Sequence, residues 1–269
     1  MQDPNLTGSW ESACGPSEAR SRRARASGGG APRAVRKADA TRAFIEVIVQ
    51  TLEDARAATE GGADRLEVVR AIGDGGLTPS LSVVEAIKRA TSLPLRVMVR
   101  ENAGFETSGT EIDVLRAAAW NFAKLAVDGL VVGFAKSGEL SLPELASVIE
   151  AAPAVPITFH RAFDSLHDQL GAIDTLSAIR RVDGILTSGG EGNAPERSAR
   201  LEQFVQRAAS RLSIIAGGGV DLETFDLLVR NQAVRWIHVG RLAREGNDPQ
   251  GPVSAGSVRR LRDLADGVG

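Results

Sequence analysis

The chain has 269 residues, 43% hydrophobic and 25% charged, with a formal net charge of -2 and an isoelectric point near 6.0. That balance describes a soluble globular protein with room for one sizeable core, and gives no electrostatic case for nucleic acid or a membrane as partner. No apolar run approaches the ~20 residues of a spanning helix, no signal-peptide pattern opens the chain, and the single cysteine, Cys14, excludes an internal disulfide and points to a reducing cytoplasm.

Residues 1–40 belong to a different physical class from the rest. From Gly15 to Ala40 the chain is Ser, Ala, Gly and Arg, with Arg20, Arg22, Arg23, Arg25, Arg33, Arg36 and Lys37 outnumbering the acids. Such a stretch buries too little apolar surface to offset its ordering entropy, so a disordered tail is expected over 1–40 and one folded domain over 41–269.

After Thr41 a strand–helix alternation begins and repeats. Phe44–Val49 reads as a strand, Leu52–Ala58 as a helix stopped by Gly61-Gly62, and Arg65–Val69 as the second strand. Pro79-Ser80 starts a helix over Leu81–Ala90. Leu95–Arg100 is the third strand, Glu111–Leu125 the third helix, and Gly129–Phe134 the fourth strand. The second half gives strands at Ile157–Phe163, Gly184–Thr187, Leu212–Ala216 and Trp236–Gly240. Helices are expected at Leu142–Ala152, Asp168–Val182, Pro195–Arg211, Leu222–Arg230 and Ser257–Ala265. Eight such units, with short Val/Ile/Leu-rich strands covered on both sides, predict an α/β fold of the (β/α)8 TIM-barrel type. A doubly wound open sheet is the competing reading, and the missing glycine-rich fingerprint after the first strand counts against it.

In a barrel the working groups sit at the C-terminal ends of the strands. The fifth strand runs from apolar Ile157 into His160, Arg161 and Asp164 without an intervening turn residue. Alternation puts Thr158 and His160 on one face, toward the barrel mouth, and Phe159 and Arg161 on the other. Two readings stand for His160: a hydrogen-bonded core histidine, or a group that moves a proton. His238 ends the eighth strand in more apolar surroundings, and His167 opens a helix.

Glu67 lies between Leu66 and Val68 in an apolar strand, where a carboxylate needs a partner. It is either half of an ion pair with Arg65, Arg70 or a neighbouring Arg, or a general base or ligand. Glu46 occupies the equivalent position in the first strand. Arg100 ends the third strand, and its planar fork suits a carboxylate or phosphate.

Gly217-Gly218-Gly219 ends the seventh strand and leads into a helix, so its N–H groups can approach an anion without Cβ obstruction. Ser188 and Gly189 after the sixth strand and Arg241 after the eighth flank it. Together with Arg100 and Arg161 they form the expected anion-binding set, with His160, Glu67 and Asp164 as the expected catalytic set. Thiolate chemistry has no cysteine in the barrel, and a Schiff base has no strand lysine among the four lysines present. No tyrosine exists, and no HExxH, Walker or nucleophile-elbow pattern appears.

Five ordered motifs carry a resemblance. They are Gly62-Ala63-Asp64-Arg65-Leu66-Glu67, Gly75-Gly76-Leu77-Thr78-Pro79-Ser80, Thr158-Phe159-His160-Arg161-Ala162-Phe163-Asp164, Leu186-Thr187-Ser188-Gly189-Gly190 and Ala216-Gly217-Gly218-Gly219-Val220. From about Phe44 to Arg241 the chain resembles the CutC family of copper homeostasis proteins. The resemblance implies a cytoplasmic (β/α)8 barrel that self-associates and handles copper, with no settled reaction. The chain departs from the family pattern in having Val68 where members commonly have Cys, and Arg100-Glu101-Asn102-Ala103-Gly104-Phe105 after the third strand. It also ends the eighth strand in His238-Val239-Gly240-Arg241, where a His and a Ser-rich turn are usual.

Copper(I) prefers sulfur, and Met98 alone offers it within the barrel. Glu67, His160 and His238 offer nitrogen and oxygen donors for copper(II) or another divalent ion, the one cofactor in view. Two functions therefore stand. One is copper homeostasis with metal bound at the mouth. The other is a barrel enzyme moving protons on a small phosphorylated or carboxylated metabolite.

Overall fold

The computed structural model describes residues 42–232 and 234–267. The tail expected to be disordered lies outside them.

Eight strands close into a barrel: β1 (Phe44–Val49), β2 (Arg65–Val68), β3 (Leu95–Met98), β4 (Gly129–Val132), β7 (Ile157–Phe159), β8 (Val182–Thr187), β9 (Ser213–Ala216) and β10 (Trp236–Val239). A short antiparallel hairpin, β5 (Ala135–Lys136) and β6 (Glu139–Leu140), follows β4 and stands outside the barrel. Around the ring the order is β1-β10-β9-β8-β7-β4-β3-β2, with every barrel pair parallel. This is the predicted (β/α)8 fold.

Eight helices wrap the barrel, each started by a local device in the sequence. α1 (Leu52–Gly61) begins where Thr51 Oγ1 accepts the Asp54 N–H, and it ends at Gly62 in the left-handed region, φ 92°. α2 (Leu81–Ala90) is capped by Ser80, and α3 (Gly109–Lys124) by a reciprocal Ser108–Glu111 capping box. α4 (Leu142–Ala151) has Pro143 in its first turn, and α5 (Gln169–Ala178) is capped by Asp168. α6 (Ala194–Ala208) has an Asn193–Glu196 capping box, while Asp221 caps α7 (Leu222–Arg230) and Ser254 caps α8 (Ala255–Ala265). Among the described residues no helix is long and apolar enough to cross a membrane.

Several predicted boundaries shift for stated reasons. The fifth barrel strand stops at Phe159 rather than Phe163, because His160 Nδ1 accepts the Ala162 N–H and starts a 3-10 turn over Arg161–Ser165. The helix expected over Asp168–Val182 ends at Ala178. The Arg181 carbonyl is already accepting from Ile157 N–H, and Val182 begins the next strand. Strands three and four each end two residues early, and Ala135 N–H goes to Phe105 O instead of a barrel neighbour.

The strand pleat sorts side chains into two layers. Ile45, Val47, Val49, Leu66, Val68, Val97, Leu130, Phe159, Ile185 and Ile237 pack outward with helix residues such as Ala55, Val84, Leu115, Phe204 and Val258 in the main apolar core. Complete burial of each Val, Leu, Ile or Phe there stabilises by roughly 1.5–3 kcal/mol. The alternate positions face the lumen, and many are polar: Glu46, Arg65, Glu67, Arg96, Thr158 and His238 are all buried. A small second apolar cluster of Val69, Met98 and Val131, with Ile48 and Ile72, lies above them. Such a lumen costs stability unless its charges are paired.

Candidate active site at the barrel mouth

The strand C-termini and their following loops enclose a cavity of about 420 Å³. Its apolar lining includes Ile48, Val69, Met98, Phe105 and Leu186. The polar lining is Glu67, His160, His238, Asp74 and three arginines, Arg100, Arg161 and Arg241, together with the Gly218-Gly219 turn.

The floor is a chain of buried ionisable groups. Register places Glu46 of β1 beside both His238 of β10 and Arg65 of β2. Glu46 Oε2 accepts from Arg65 Nε, and Glu46 Oε1 lies 2.7 Å from His238 Nδ1. That contact puts a proton on Nδ1 and turns Nε2 toward Glu67, whose Oε2 is 3.5 Å away. Glu67 Oε1 has no hydrogen-bond partner among the described residues. Below them, the Arg65 guanidinium lies 3.9 Å from the Trp236 ring centroid and so closes the lumen.

Opposite environments separate the two carboxylates. Burial pushes Glu46 upward, but Arg65 and then His238 outweigh it and hold the carboxyl at about 2. For Glu67 burial dominates, His238 opposes it and Glu46 reinforces it, and the result is about 7. Burial lowers His238, yet Glu67 and Glu46 outweigh it and raise the imidazole above its ordinary value.

His160 is different in kind. It is 2% exposed, its Nδ1 accepts the Ala162 N–H at 3.1 Å, and its buried Nε2 has no partner among the described residues. Burial first, and the cations Arg100 and Arg161 in addition, drive it down to about 3. His160 is therefore neutral, with Nε2 engaged by none of the described residues.

Arg161 lies on the cavity side, contrary to the alternation argument. The strand has already ended, and the 3-10 turn redirects the chain. Its Nε donates to Asp164 Oδ2 at 3.0 Å, while Asp164 also accepts from Thr187 Oγ1 at 2.5 Å and from Ser188 N–H. Asp164, expected to be catalytic, thus sits behind Arg161 with its oxygens occupied and does not line the cavity.

The expected anion set divides in the same way. Ser188 N–H is spent on Asp164, Gly189 N–H on Thr187 Oγ1 and Gly217 N–H on Thr187 O, and none of the three lines the cavity. Gly218 and Gly219 do line it, with φ of 88° and 74°. Among the described residues no acceptor takes the N–H of Gly218, Gly219 or Val220. A Cβ on Gly218 would stand 2.7 Å from Arg161 Nε, so that guanidinium lies directly against the turn. Arg241 is exposed at the rim. Arg100 donates to the carbonyls of Gly75, Ala103 and Gly104 and stacks 5.0 Å from the Phe105 centroid. It pairs with neither Glu67 nor Asp164, and it ties two mouth loops together while facing the cavity.

The expected metal set is not assembled. Glu67 and His238 meet, but His160 stands on the end of β7, separated from β10 by β8 and β9. Both nitrogens of His238 face carboxylates, His160 Nδ1 is occupied, and among the described residues Met98 is the only sulfur lining the cavity. Among the described residues no group of three or more His, Cys, Asp or Glu side chains is placed to hold a metal ion. These donors do not fit a resident copper.

Sequence reasoning gave Glu46 a lesser part, although its Ile-Glu-Val setting matched that of Glu67. It missed Phe105, which follows the last strand-like residue by several positions and is brought to the mouth by Arg100.

The sequence profile of the CutC family matches residues 43–242. The human copper homeostasis protein cutC homolog is 36% identical over 206 residues, 75% of each chain. A CutC family protein of Pasteurella multocida is 32% identical over 197 residues, 72% of this chain and 80% of its own. The crystal structure of the putative copper homeostasis protein CutC from Streptococcus agalactiae superposes with a TM-score of 0.68 at 25% identity, covering 73% of this chain and 97% of that one. With barrel, motifs and relatives in agreement, the chain belongs to the CutC family of copper homeostasis proteins.

Proposed function

We propose that the barrel mouth is an active site that binds a small metabolite through a phosphate or carboxylate and moves a proton on it. The observation carrying this reading is the Arg161 guanidinium lying against the Gly218-Gly219 turn, whose N–H groups have no partner among the described residues. Backbone N–H groups without Cβ cover, beside a cation and at a helix start, are the ordinary chemistry of an oxyanion site. Arg241 adds charge at the rim. Glu67, at about 7, is balanced between acid and base at neutral pH, and His238 beside it keeps the proton within the pair.

Direct binding of copper or another divalent ion at the mouth is the competing reading, and among the described residues no converging donor set supports it. A cytoplasmic location and self-association belong to the proposal as well, supported by the lone Cys14 and by family resemblance respectively. Calorimetry with inorganic phosphate tests the core of it. Wild type is expected to bind, and Arg161→Ala to bind at least about tenfold more weakly, as loss of a charged hydrogen bond implies. Absence of phosphate binding to wild type, or equal binding by Arg161→Ala, overturns the reading.

A further inference from the structure

His160 holds a buried hydrogen-bond donor that none of the described residues uses. Since Nδ1 accepts from the Ala162 backbone, it carries no proton, and the neutral ring must bear its hydrogen on Nε2. That N–H is buried, unpartnered among the described residues, and belongs to a side chain lining the cavity. A buried donor without an acceptor costs roughly 1–3 kcal/mol, which an acceptor from outside the chain, a water or a bound ligand, recovers.

Resting on the proposed proton-transfer site, we infer that His160 is a catalytic residue that presents a fixed neutral N–H to a carbonyl oxygen, so that the substrate class is a small anion carrying an enolisable carbonyl. Three features meet in one cavity: an anion cradle at Arg161 and Gly218-Gly219, a carboxylate at Glu67, and this donor on β7, three strands around the ring from β2. The Glu67 carboxylate takes a proton from the carbon beside the carbonyl. The C–H electron pair becomes the C=C bond, and the carbonyl π pair moves onto oxygen, where His160 Nε2–H holds it. Return of the proton from Glu67, to the same carbon or to the former carbonyl carbon after hydroxyl-proton transfer, gives exchange or isomerisation with no co-reactant.

A neutral donor suits this task because it stabilises developing charge without giving up its own proton. Burial keeps the ring neutral first, and the charged groups beside it, Arg100 and Arg161, are both cations that act in the same direction. They also favour an enolate at that spot. Phe105, 5.6 Å away between ring centroids, narrows the water-facing side.

Two measurements on the full chain test this. Histidine-ring 15N spectra of wild type should show one ring protonated on Nε2 and unchanged from about pH 5 to 9, identified by its loss in His160→Asn. An Nδ1–H tautomer, or titration within that range, overturns the inference while leaving phosphate binding standing. His160→Asn is also the functional variant, because its Oδ1 can still cap Ala162 N–H while the Nε2 donor is gone.

In D2O, wild type should exchange deuterium into dihydroxyacetone phosphate or pyruvate but not into sn-glycerol 3-phosphate or lactate. The variant should be slower by about a hundredfold, as for loss of one oxyanion donor, with inorganic phosphate bound as before. Equal exchange by the variant overturns the inference. So does lack of exchange in both carbonyl probes by a wild type that binds phosphate. Failure of phosphate to bind wild type defeats the parent reading and this one with it.

Discussion

Glu67 Oε2 and His238 Nε2 face each other across 3.5 Å inside the barrel, both side chains at least 94% buried. Each perturbs the other. A charge on either is costly in that lumen unless it is paired, because a single buried charge costs several kcal/mol.

The pair makes stability depend on pH in a defined direction. Glu67 is raised from an ordinary 4.5 to about 7, so its contribution is full below 4.5 and lost as pH rises through 7. His238, also raised, loses its contribution above 6.5 in the same sense. Glu46, held at about 2, contributes fully above 4.5 and is lost only as pH falls toward 2. Melting temperature should therefore fall between pH 5 and 8. Glu67→Gln should flatten that fall and exceed wild type at pH 8, by on the order of 1–3 kcal/mol in chemical denaturation. A Glu67→Gln profile parallel to wild type would contradict the buried, raised carboxyl.

Gly218 and Gly219 separate backbone strain from site geometry. Both have left-handed φ, so alanine at either should cost about 1 kcal/mol in urea melts. Only at Gly218 would the new Cβ press on Arg161, whereas at Gly219 nothing lies within 4 Å. Gly218→Ala should thus lose phosphate affinity well beyond Gly219→Ala. Equal losses in calorimetry would remove Arg161 from the anion site.

Asp164 acts through Arg161. Asp164→Asn keeps one oxygen for Thr187 or Ser188 but loses the charge that fixes the guanidinium. Phosphate affinity should drop several-fold and the loss should shrink at high salt, where the ion pair is already screened. Asp164→Ala leaves three donors, Arg161 Nε, Thr187 Oγ1 and Ser188 N–H, without their acceptor and should cost about 1–3 kcal/mol of stability in addition.

Copper(II) or zinc added to the full chain should leave the His160 and His238 ring signals in place, because among the described residues no third donor closes on either. Perturbation of both rings at one equivalent of metal, abolished by Glu67→Gln, would restore the metal reading of the mouth.

Much of the architecture was legible in the chain itself. Local chemistry sets each unit: caps such as Thr51, Ser108 and Asp221 start helices, Gly62 stops one, and Val/Ile/Leu runs form strands covered on both faces. Repetition of that unit eight times leaves a barrel as the compact solution, and strand-end placement then gathers His160, Glu67, Arg100, Arg161 and the glycine turn at one mouth.

Partnership was decided only in three dimensions. Sequence names Glu46, Glu67, Arg65 and His238 as odd residents of apolar strands, but register alone gives Glu46 to Arg65 and His238 and leaves Glu67 with a free oxygen. Likewise, the motif around His160 locates a site without revealing its chemistry. One backbone N–H, from Ala162, ends the strand, turns Arg161 into the cavity and fixes the imidazole as a neutral donor. Periodicity encodes which face a residue takes, because that depends on neighbours in sequence. Protonation and ligand use depend on neighbours in space, which strands 19 and 192 residues apart supply.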